Sequence, residues 1–158
     1  MRQYTKDMLS SRARYATRAI LDLSLREGEK ATLIQDIADR QNIPLKFLQQ
    51  ILVSLKTAGF VGSRKGPGGG YALTRSPSAI TLGDVVRAMD GSLAPISCVS
   101  IAAHAECGCP RPDTCALRAK FREVRDAMAD ILDHTTFAEL AESQRKADGV
   151  PTPLDFVI

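Results

Sequence analysis

Residues 44–71 have the sequence PLKFLQQILVSLKTAGFVGSRKGPGGGY. Apolar side chains recur at helical spacing over about 45–58, which predicts an amphipathic helix. Pro44 suits the first turn of that helix, where no backbone N–H is needed, and Gly59 can end it in the left-handed conformation. The predicted apolar face consists of Leu48, Ile51, Leu52 and Leu55.

A β-hairpin is predicted directly after this helix. Its strands are expected over 60–65 and 71–74, on either side of the loop Gly66-Pro-Gly-Gly-Gly70. The loop joins strand to strand and is not followed by a helix, so it does not fit the phosphate-binding loop of a nucleotide-binding protein. Four glycines exceed what a turn requires, and we expect them to let the backbone approach another surface closely.

Shorter helices flank this region. The sequence predicts a first helix over about 11–26 and a second that begins at Thr32, whose hydroxyl would form a capping box with Gln35, and ends near Arg40. Thr81 is expected to cap a further helix over about 82–89. Two short helices joined by a tight turn and followed by a hairpin form the winged helix-turn-helix pattern of DNA-binding proteins.

Polar side chains on this pattern suit contact with DNA, although they also fit an ordinary solvated surface. On the predicted helix these polar side chains face away from the apolar stripe. A glutamine there can form hydrogen bonds with adenine, and a lysine can bind guanine or phosphate. Arg64 and Lys65 give the hairpin a basic tip that suits the minor groove. The predicted DNA-binding residues are Lys46, Gln49, Gln50, Arg64, Lys65, Gly66, Gly68, Gly69 and Tyr71.

Charge and composition narrow the class of protein. Residues 1–75 hold 13 Lys and Arg against 6 Asp and Glu, whereas residues 76–158 hold 8 against 12, so only the first half is strongly basic. The sequence has no run of about 18 apolar residues and no signal-peptide core, which predicts a cytoplasmic protein without a membrane span. With only two histidines and no nucleophile–base pair, it does not predict an enzyme.

The second half of the chain is organised differently. Residues 92–116, the cysteine loop, have no clear periodicity and predict irregular structure. A long helix is expected to begin near 113–114, and a short one to cover about 136–146. The apolar face of the long helix, which suits either an intramolecular core or a subunit interface, consists of Leu117, Phe121, Val124, Met128, Ile131 and Leu132.

These elements predict a mainly α-helical chain with a small β-hairpin. It comprises a winged helix-turn-helix and a long C-terminal helix suited to dimerisation. The predicted regions are a DNA-binding domain (8–91), the cysteine loop (92–116), a dimerisation region (117–146) and a tail (147–158).

The cysteine loop contains Cys98, Cys107, Cys109 and Cys115. Clustered thiols in a cytosolic protein indicate metal or redox chemistry more than structural packing. Iron–sulfur ligation, a zinc site, a thiol–disulfide switch and a purely structural loop all remain open. One residue between Cys107 and Cys109 is a shorter spacing than zinc ligands usually have. A position in the first turn of the long helix would stabilise a thiolate at Cys115.

Four short motifs resemble one known family. They are Arg14-Tyr-Ala, Ile37-Ala, Leu48-Gln-Gln and Lys65-Gly-Pro-Gly-Gly-Gly-Tyr71, and they are similar to those of the bacterial IscR/NsrR-type winged-helix regulators. The likeness extends from about Met8 to Gln144. It implies a homodimer that binds a palindromic operator, with the third helix in the major groove and the hairpin in the minor groove. Such chains usually begin near Met8, so residues 1–7 are expected to be an extension or a misplaced start.

The resemblance also implies an iron–sulfur cluster held by three cysteines of the loop. Cys98, Cys109 and Cys115 match these positions, because the last two family cysteines are separated by five residues, and Cys107 is additional. The cluster type, two-iron or four-iron, stays open.

The fourth ligand differs from the family pattern. In the IscR branch a histidine three residues after the last cysteine completes the site, but this chain has Arg118 there. In the NsrR branch an acidic residue from the partner's first helix does so, but the matching position is about Arg14. The remaining candidates are Cys107, His104 and Glu106. We favour Cys107 because it is a soft ligand inside the loop, followed by His104.

Together these features predict a DNA-binding transcription regulator, acting as a repressor. Its operator affinity would follow the state of an iron–sulfur cluster that senses redox, iron or nitric oxide status. The alternative is a cluster-free winged-helix regulator that responds through thiol oxidation or through a protein partner from sulfur or cysteine metabolism.

Overall fold

The computed structural model describes residues 8–149, which contain six α-helices and one two-stranded antiparallel sheet. The predictions for residues 1–7 and for most of the tail lie outside these residues. The mainly α-helical fold with a small hairpin is confirmed. The elements are α1 Ser11–Leu25, α2 Ile34–Gln41, α3 Leu45–Thr57, β1 Val61–Arg64, β2 Gly70–Leu73, α4 Leu82–Asp90, α5 Ala116–His134 and α6 Phe137–Ala147.

Helix α1 forms the centre of the molecule. Ser10 caps it by accepting a hydrogen bond from the N–H of Ala13 at 3.0 Å. Ala16 and Ala19 are fully buried, and their small side chains let α3, α4 and α6 pack closely around α1. Ile20 belongs to the same buried cluster. The position of every other helix in the first domain therefore depends on α1.

An ion pair with a buried carboxylate fixes α2 against α1. Asp22 is only 2% exposed, and Arg40 donates two hydrogen bonds to its carboxylate at 2.9 and 2.7 Å. The hydrogen bond with Asp22 raises the pKa of Arg40. Two parallel bonds constrain orientation as well as distance, so this pair sets the angle at which α2 meets α1.

The prediction that Thr32 caps α2 is wrong. The helix begins at Ile34, after Leu33, and no side chain caps it. The N–H of Thr32 instead donates to the carbonyl of Tyr71 at 2.8 Å, and the N–H of Tyr71 donates back at 2.7 Å. Gln35, the predicted partner, donates to Asp39. Backbone pairing with β2 thus replaces the cap and ties the hairpin to the helices.

Helices α4 and α6 both begin at a threonine that forms a capping box. Thr81 starts α4 with a capping box that it shares with Asp84, which confirms the predicted cap. Thr136 starts α6 in the same way with Glu139. The two threonines also pair with each other in an antiparallel bridge, so the beginnings of α4 and α6 are joined.

Helix α5 begins later than predicted. Pro112–Thr114 form one turn of 3-10 helix, and Cys115 has an extended backbone, so the α-helical hydrogen bonds start only at Ala116. Cys115 is therefore the N-cap of α5 and does not lie within its first turn. Its sulfur accepts a hydrogen bond from the N–H of Arg118 at 3.4 Å.

Helix α5 has no buried residue. Leu117 and Ile131 are 70% and 66% exposed, and Phe121 and Val124 are also exposed. Its apolar face therefore does not form an intramolecular core. Among residues 8–149, no helix combines the length and the apolar character needed to cross a membrane.

The end of α5 is joined to α4. Arg87 donates two hydrogen bonds to the carboxylate of Asp133, at 2.5 and 2.7 Å. The N–H of Leu82 donates to the carbonyl of Thr135 at 2.8 Å. Gly83 provides the necessary space, because a Cβ at that position would collide with Asp133. These contacts connect the long helix to α4 and, through α4, to the helices packed around α1.

Replacing Asp133 with asparagine should weaken this connection in a pH-dependent way. The hydrogen bond from Arg87 lowers the pKa of Asp133, so its carboxylate contributes stability at neutral pH that is lost as the pH falls through that lowered value. Because the two side chains are 40% and 41% exposed, we expect Asp133→Asn to lower the free energy of unfolding by about 0.5 kcal/mol at neutral pH.

Urea denaturation at neutral pH and near pH 3 measures this difference, which should shrink at the acidic pH. Glu123→Gln, which removes a more exposed ion pair of the same helix, is the control. An equal loss at both pH values would contradict the assigned role of the ion pair.

Candidate DNA interface and cysteine loop

The solvent-facing side of α3 carries three residues predicted to contact DNA. Lys46, Gln49 and Gln50 are exposed, and their side chains have no hydrogen-bond or ion-pair partner elsewhere in the described chain. The opposite face is buried as predicted, and its members, all at most 1% exposed, are Leu48, Ile51, Leu52 and Leu55. Helix α3 therefore presents an unpaired polar surface on a rigid apolar base.

An aromatic contact fixes the start of α3 on α1. The rings of Phe47 and Tyr15 meet edge to face with their centroids 5.6 Å apart. The guanidinium of Arg18 lies 5.6 Å from the centre of the Tyr15 ring on α1. Because Phe47 directly follows Lys46, this contact determines how the polar side of α3 is turned toward solvent.

The turn between β1 and β2 presents a basic tip. The strands pair antiparallel, with Arg64 opposite Gly70. Arg64 and Lys65 are exposed and unpaired within residues 8–149. Gly66 and Gly68 beside them are also exposed. The predicted tip therefore projects from the domain as two cations next to a backbone without bulky side chains.

Two glycines are required by the hairpin itself. A Cβ at Gly70 would collide with the carbonyl of Thr32, and one at Gly69 would lie 2.5 Å from the carbonyl oxygen of Arg64. At these positions the glycine backbone does approach another surface closely, as the sequence predicts, but that surface is backbone of the same chain. Gly69 is buried and Tyr71 is half-buried against the core. These two members of the predicted DNA-binding set therefore support the conformation of the hairpin.

Two basic side chains beside this surface were not predicted. Arg12 of α1 donates to Ser54 of α3 at 2.5 Å, and Lys56 of α3 donates to Ser63 of β1 at 2.7 Å. Each bond places a cation where α3 meets a neighbouring element. The excess of basic residues before position 76 indicated such cations, but only the packing of the helices identifies them.

The first part of the cysteine loop is held by the fold. Cys98 lies in a turn of 3-10 helix and is 5% exposed. Arg125 of α5 donates to the carbonyl of Val99 at 2.6 Å. The segment that contains the buried cysteine is therefore attached to the middle of α5.

The four thiols are free and lie in a connected chain. Electrostatic interactions connect Cys98 with Cys107, Cys107 with Cys109, and Cys109 with Cys115. Cys107 and Cys109 are exposed, and Cys115 is half-buried. The structure thus places Cys98, Cys107 and Cys109 around one cavity, while Cys115 interacts with Cys109.

These contacts make the thiols chemically unequal. Hydrogen bonds from the side chain and backbone of Cys109 lower the pKa of Cys107, and the same interaction raises the pKa of Cys109 to about 11. Burial, and then the contact with Cys107, raises the pKa of Cys98, while the positive charge of Arg118 acts in the opposite direction. Metals bind the thiolate form, so the lowered pKa of Cys107 favours ligation, whereas Cys98 and Cys109 would each have to lose a proton against a raised pKa.

The loop contains the donor atoms that a metal requires, but these atoms are not arranged in advance around one point. Within residues 8–149, no three His, Cys, Asp or Glu side chains are arranged to hold one metal ion. Three of the four cysteines, with His104 and Glu106, line a cavity of about 250 Å³. Four thiols along one loop are the donor set of iron–sulfur clusters. A cluster would therefore require this exposed loop to close around it.

Arg118 occupies the position at which the family resemblance implies a histidine ligand. Its Nη1 donates to the carbonyl of Pro112 at 3.3 Å. Its Nε is buried and has no hydrogen-bond partner among the described residues. A guanidinium has no lone pair to give to a metal because it stays protonated. Any fourth ligand must therefore come from another residue, and Cys107 and His104 lie in the same cavity.

Known proteins share this sequence and architecture. The Rrf2 family, described as iron-dependent transcriptional regulators, matches residues 9–143. The HTH-type transcriptional regulator IscR of Escherichia coli K12 is 35% identical over 140 residues, which cover 89% of this chain and 83% of that protein. These matches confirm the resemblance to regulators of the IscR type and the expectation that the chain is not an enzyme.

Solved structures with this fold come from two kinds of regulator. T. potens IscR has a TM-score of 0.73 at 25% identity, over 94% of this chain and 96% of that one. CymR, the global cysteine regulator of B. subtilis, has a TM-score of 0.72 at 31% identity, over 85% and 96%. The oxidized form of Staphylococcus aureus CymR has a TM-score of 0.68 at 28% identity, over 85% and 95%.

Removing Lys65 or Gln49 should weaken DNA binding in different ways. Lys65→Ala is expected to reduce the slope of log K against log salt by about 1, because one contact with phosphate is lost. Gln49→Ala is expected to cost about 1–3 kcal/mol on the preferred sequence and to leave the salt slope unchanged, because a base contact is lost. Fluorescence anisotropy with a duplex selected from a random pool, at several stated salt concentrations, measures both effects.

Lys146→Ala provides the control, since it removes the same charge from α6. It should bind DNA like the wild-type protein. Wild-type affinity in both Lys65→Ala and Gln49→Ala would show that α3 and the hairpin do not contact DNA as assigned.

Proposed function

Since the chain belongs to the Rrf2 family of transcriptional regulators, we propose that it binds operator DNA as a homodimer under the control of an iron–sulfur cluster in its cysteine loop. The observation that carries this proposal is the position of the four connected thiols, directly before a long helix whose apolar face is exposed. Binding at a promoter would exclude RNA polymerase, so we expect repression.

DNA contact is assigned to α3 and the hairpin. The exposed Lys46, Gln49 and Gln50 would enter the major groove, where amide and ammonium groups can pair with base edges. Arg64 and Lys65 would enter the adjacent minor groove, whose potential attracts cations. The mutual bonding of Thr32 with β2 supports this arrangement, because it holds the hairpin at a constant distance from α2 and α3.

The homodimer is assigned to α5. Its 19 residues correspond to about 28 Å of helix, and within one chain none of them is buried. A groove of about 590 Å³, with a mostly apolar lining, lies between the N-terminal segment at Leu9, the loop at Leu93 and the α5 residues Met128 and Leu132. A second copy related by two-fold symmetry would cover both features, and a palindromic operator requires such a pair.

Cys98, Cys109 and Cys115 would hold the cluster, with Cys107 as the fourth ligand. When bound, such a cluster supplies reversible one-electron chemistry and reactivity toward oxygen or nitric oxide. The chain contributes a buried sulfur at Cys98, a sulfur at the N-cap of α5, and exposed sulfurs at Cys107 and Cys109 that can move with the loop.

The loop is connected to the DNA-binding surface through α5. At one end Cys115 caps the helix, and in its middle Arg125 bonds to Val99 of the loop. At the other end Asp133 pairs with Arg87 of α4, which packs on α1, the helix that also supports α3. A change in the loop can therefore alter the angle of α5 and, in a dimer, the separation of the two copies of α3.

The cluster-free alternative is favoured by a separate observation. The fold and sequence are as similar to CymR, a cysteine regulator with an oxidized form, as to IscR. The exposed, interacting thiols of Cys107 and Cys109 could respond to an oxidant without any metal. Arg118 in place of a histidine is also compatible with a chain that holds no cluster.

Iron analysis separates the two functions. Protein purified without oxygen should contain iron and acid-labile sulfide and should absorb visible light. Cys107→Ala should lose the iron because the fourth ligand is removed, whereas His104→Ala, a control within the same cavity, should retain it. A colourless wild-type protein without iron after reconstitution would exclude the cluster, and loss of iron from His104→Ala alone would assign the fourth ligand to His104.

Sedimentation analysis tests the dimer. The wild-type protein should have twice the 17.1 kDa mass of the chain, and Phe121→Asp should shift it toward the monomer, because a charge would be placed in an apolar interface. Arg122→Asp also places a carboxylate on α5, but at an exposed polar position outside the apolar face, and should remain dimeric. A monomeric wild-type protein, or a fully dimeric Phe121→Asp protein, would contradict the assignment of the interface to α5.

A further inference from the structure

The Nε group of Arg118 is a buried cationic donor without an acceptor. It is one of two side-chain nitrogens or oxygens in the described chain that are buried without a hydrogen-bond partner. A buried donor left unpaired is unfavourable, and more so when it is charged. This nitrogen therefore has no acceptor within the described residues.

The surroundings of Arg118 show which kind of acceptor fits. Its side chain lines the same cavity of about 250 Å³ as Cys98, Cys107 and Cys109. Its other contacts hold the residue in place from two sides, since Nη1 bonds to Pro112 and the backbone N–H bonds to the sulfur of Cys115. The unpaired N–H thus belongs to a side chain fixed at the edge of a sulfur-lined cavity.

We propose that Arg118 tunes the metal centre by donating a hydrogen bond from Nε to a sulfur of the thiolate-ligated cluster and by compensating its negative charge. This inference rests on the proposed function. Arg118 is a positioning residue and not a ligand. Hydrogen bonds to cluster sulfurs and nearby positive charge favour the reduced form, because that form carries one more negative charge. The chain has thereby replaced a metal ligand at this position with a residue that acts on the ligands.

The one-electron midpoint potential tests this role. Full-length protein is reconstituted with iron and sulfide and titrated with dithionite in the presence of mediators, and reduction is followed by visible absorbance. Arg118→Gln should lower the equilibrium constant for reduction about tenfold, which is about 59 mV for a one-electron couple. Arg118→Lys keeps the charge but lacks Nε–H, so its midpoint potential should lie between those of Arg118→Gln and the wild type. Arg122→Gln removes an exposed arginine of the same helix and should keep the wild-type potential.

Each other outcome overturns the inference. A cluster-loaded Arg118→Gln protein with the wild-type potential would exclude tuning by Arg118. Loss of iron from both Arg118→Gln and Arg118→Lys would show that the residue only holds the loop in shape. A wild-type protein that binds no iron would instead overturn the proposed function, so the failures of the two proposals can be told apart.

Discussion

The close packing around α1 is the constraint on which the molecule depends. Ala16 and Ala19 occupy almost no space, so α3, α4 and α6 can all contact one helix. The orientation of α3 follows from this packing and from the Tyr15–Phe47 contact. Larger side chains at the alanine positions would separate the helices, since a close-packed interior has no free volume to absorb them. The surface that we assign to DNA contact is thus determined by residues that are not part of it.

The second half of the chain has the opposite character. No residue of α5 is buried within the described chain, and the cysteine loop before it is largely exposed. Helix α5 is connected to the compact domain chiefly by the Arg87–Asp133 pair and by the Leu82–Thr135 backbone hydrogen bond, and Arg125 at Val99 connects it to the cysteine loop. A region with few buried contacts can change its arrangement at little cost, as a sensing element must. The proposed response is therefore located in a different part of the chain from the buried core.

Local periodicity and short-range caps could be predicted from the sequence, whereas long-range pairing could not. The apolar spacing from Leu48 to Leu55 predicts α3 and its buried face correctly, and Thr81 identifies the start of α4. The cap assigned to Thr32 failed because that residue pairs with Tyr71, far away in the chain, and no local pattern contains this information. For the cysteine loop, the clustering of thiols in the sequence indicated candidate ligands, but the buried unpaired Nε of Arg118 emerges only from three-dimensional packing.

The central claim is that the state of the cysteine loop sets the affinity for DNA. The most direct measurement compares one preparation before and after removal of its cluster by a chelator without oxygen, on the same selected duplex and at the same salt concentration. The two dissociation constants should differ by about 5–150-fold, the usual range of coupling between two sites. Equal dissociation constants, with iron loss verified and the dimer intact, would contradict it.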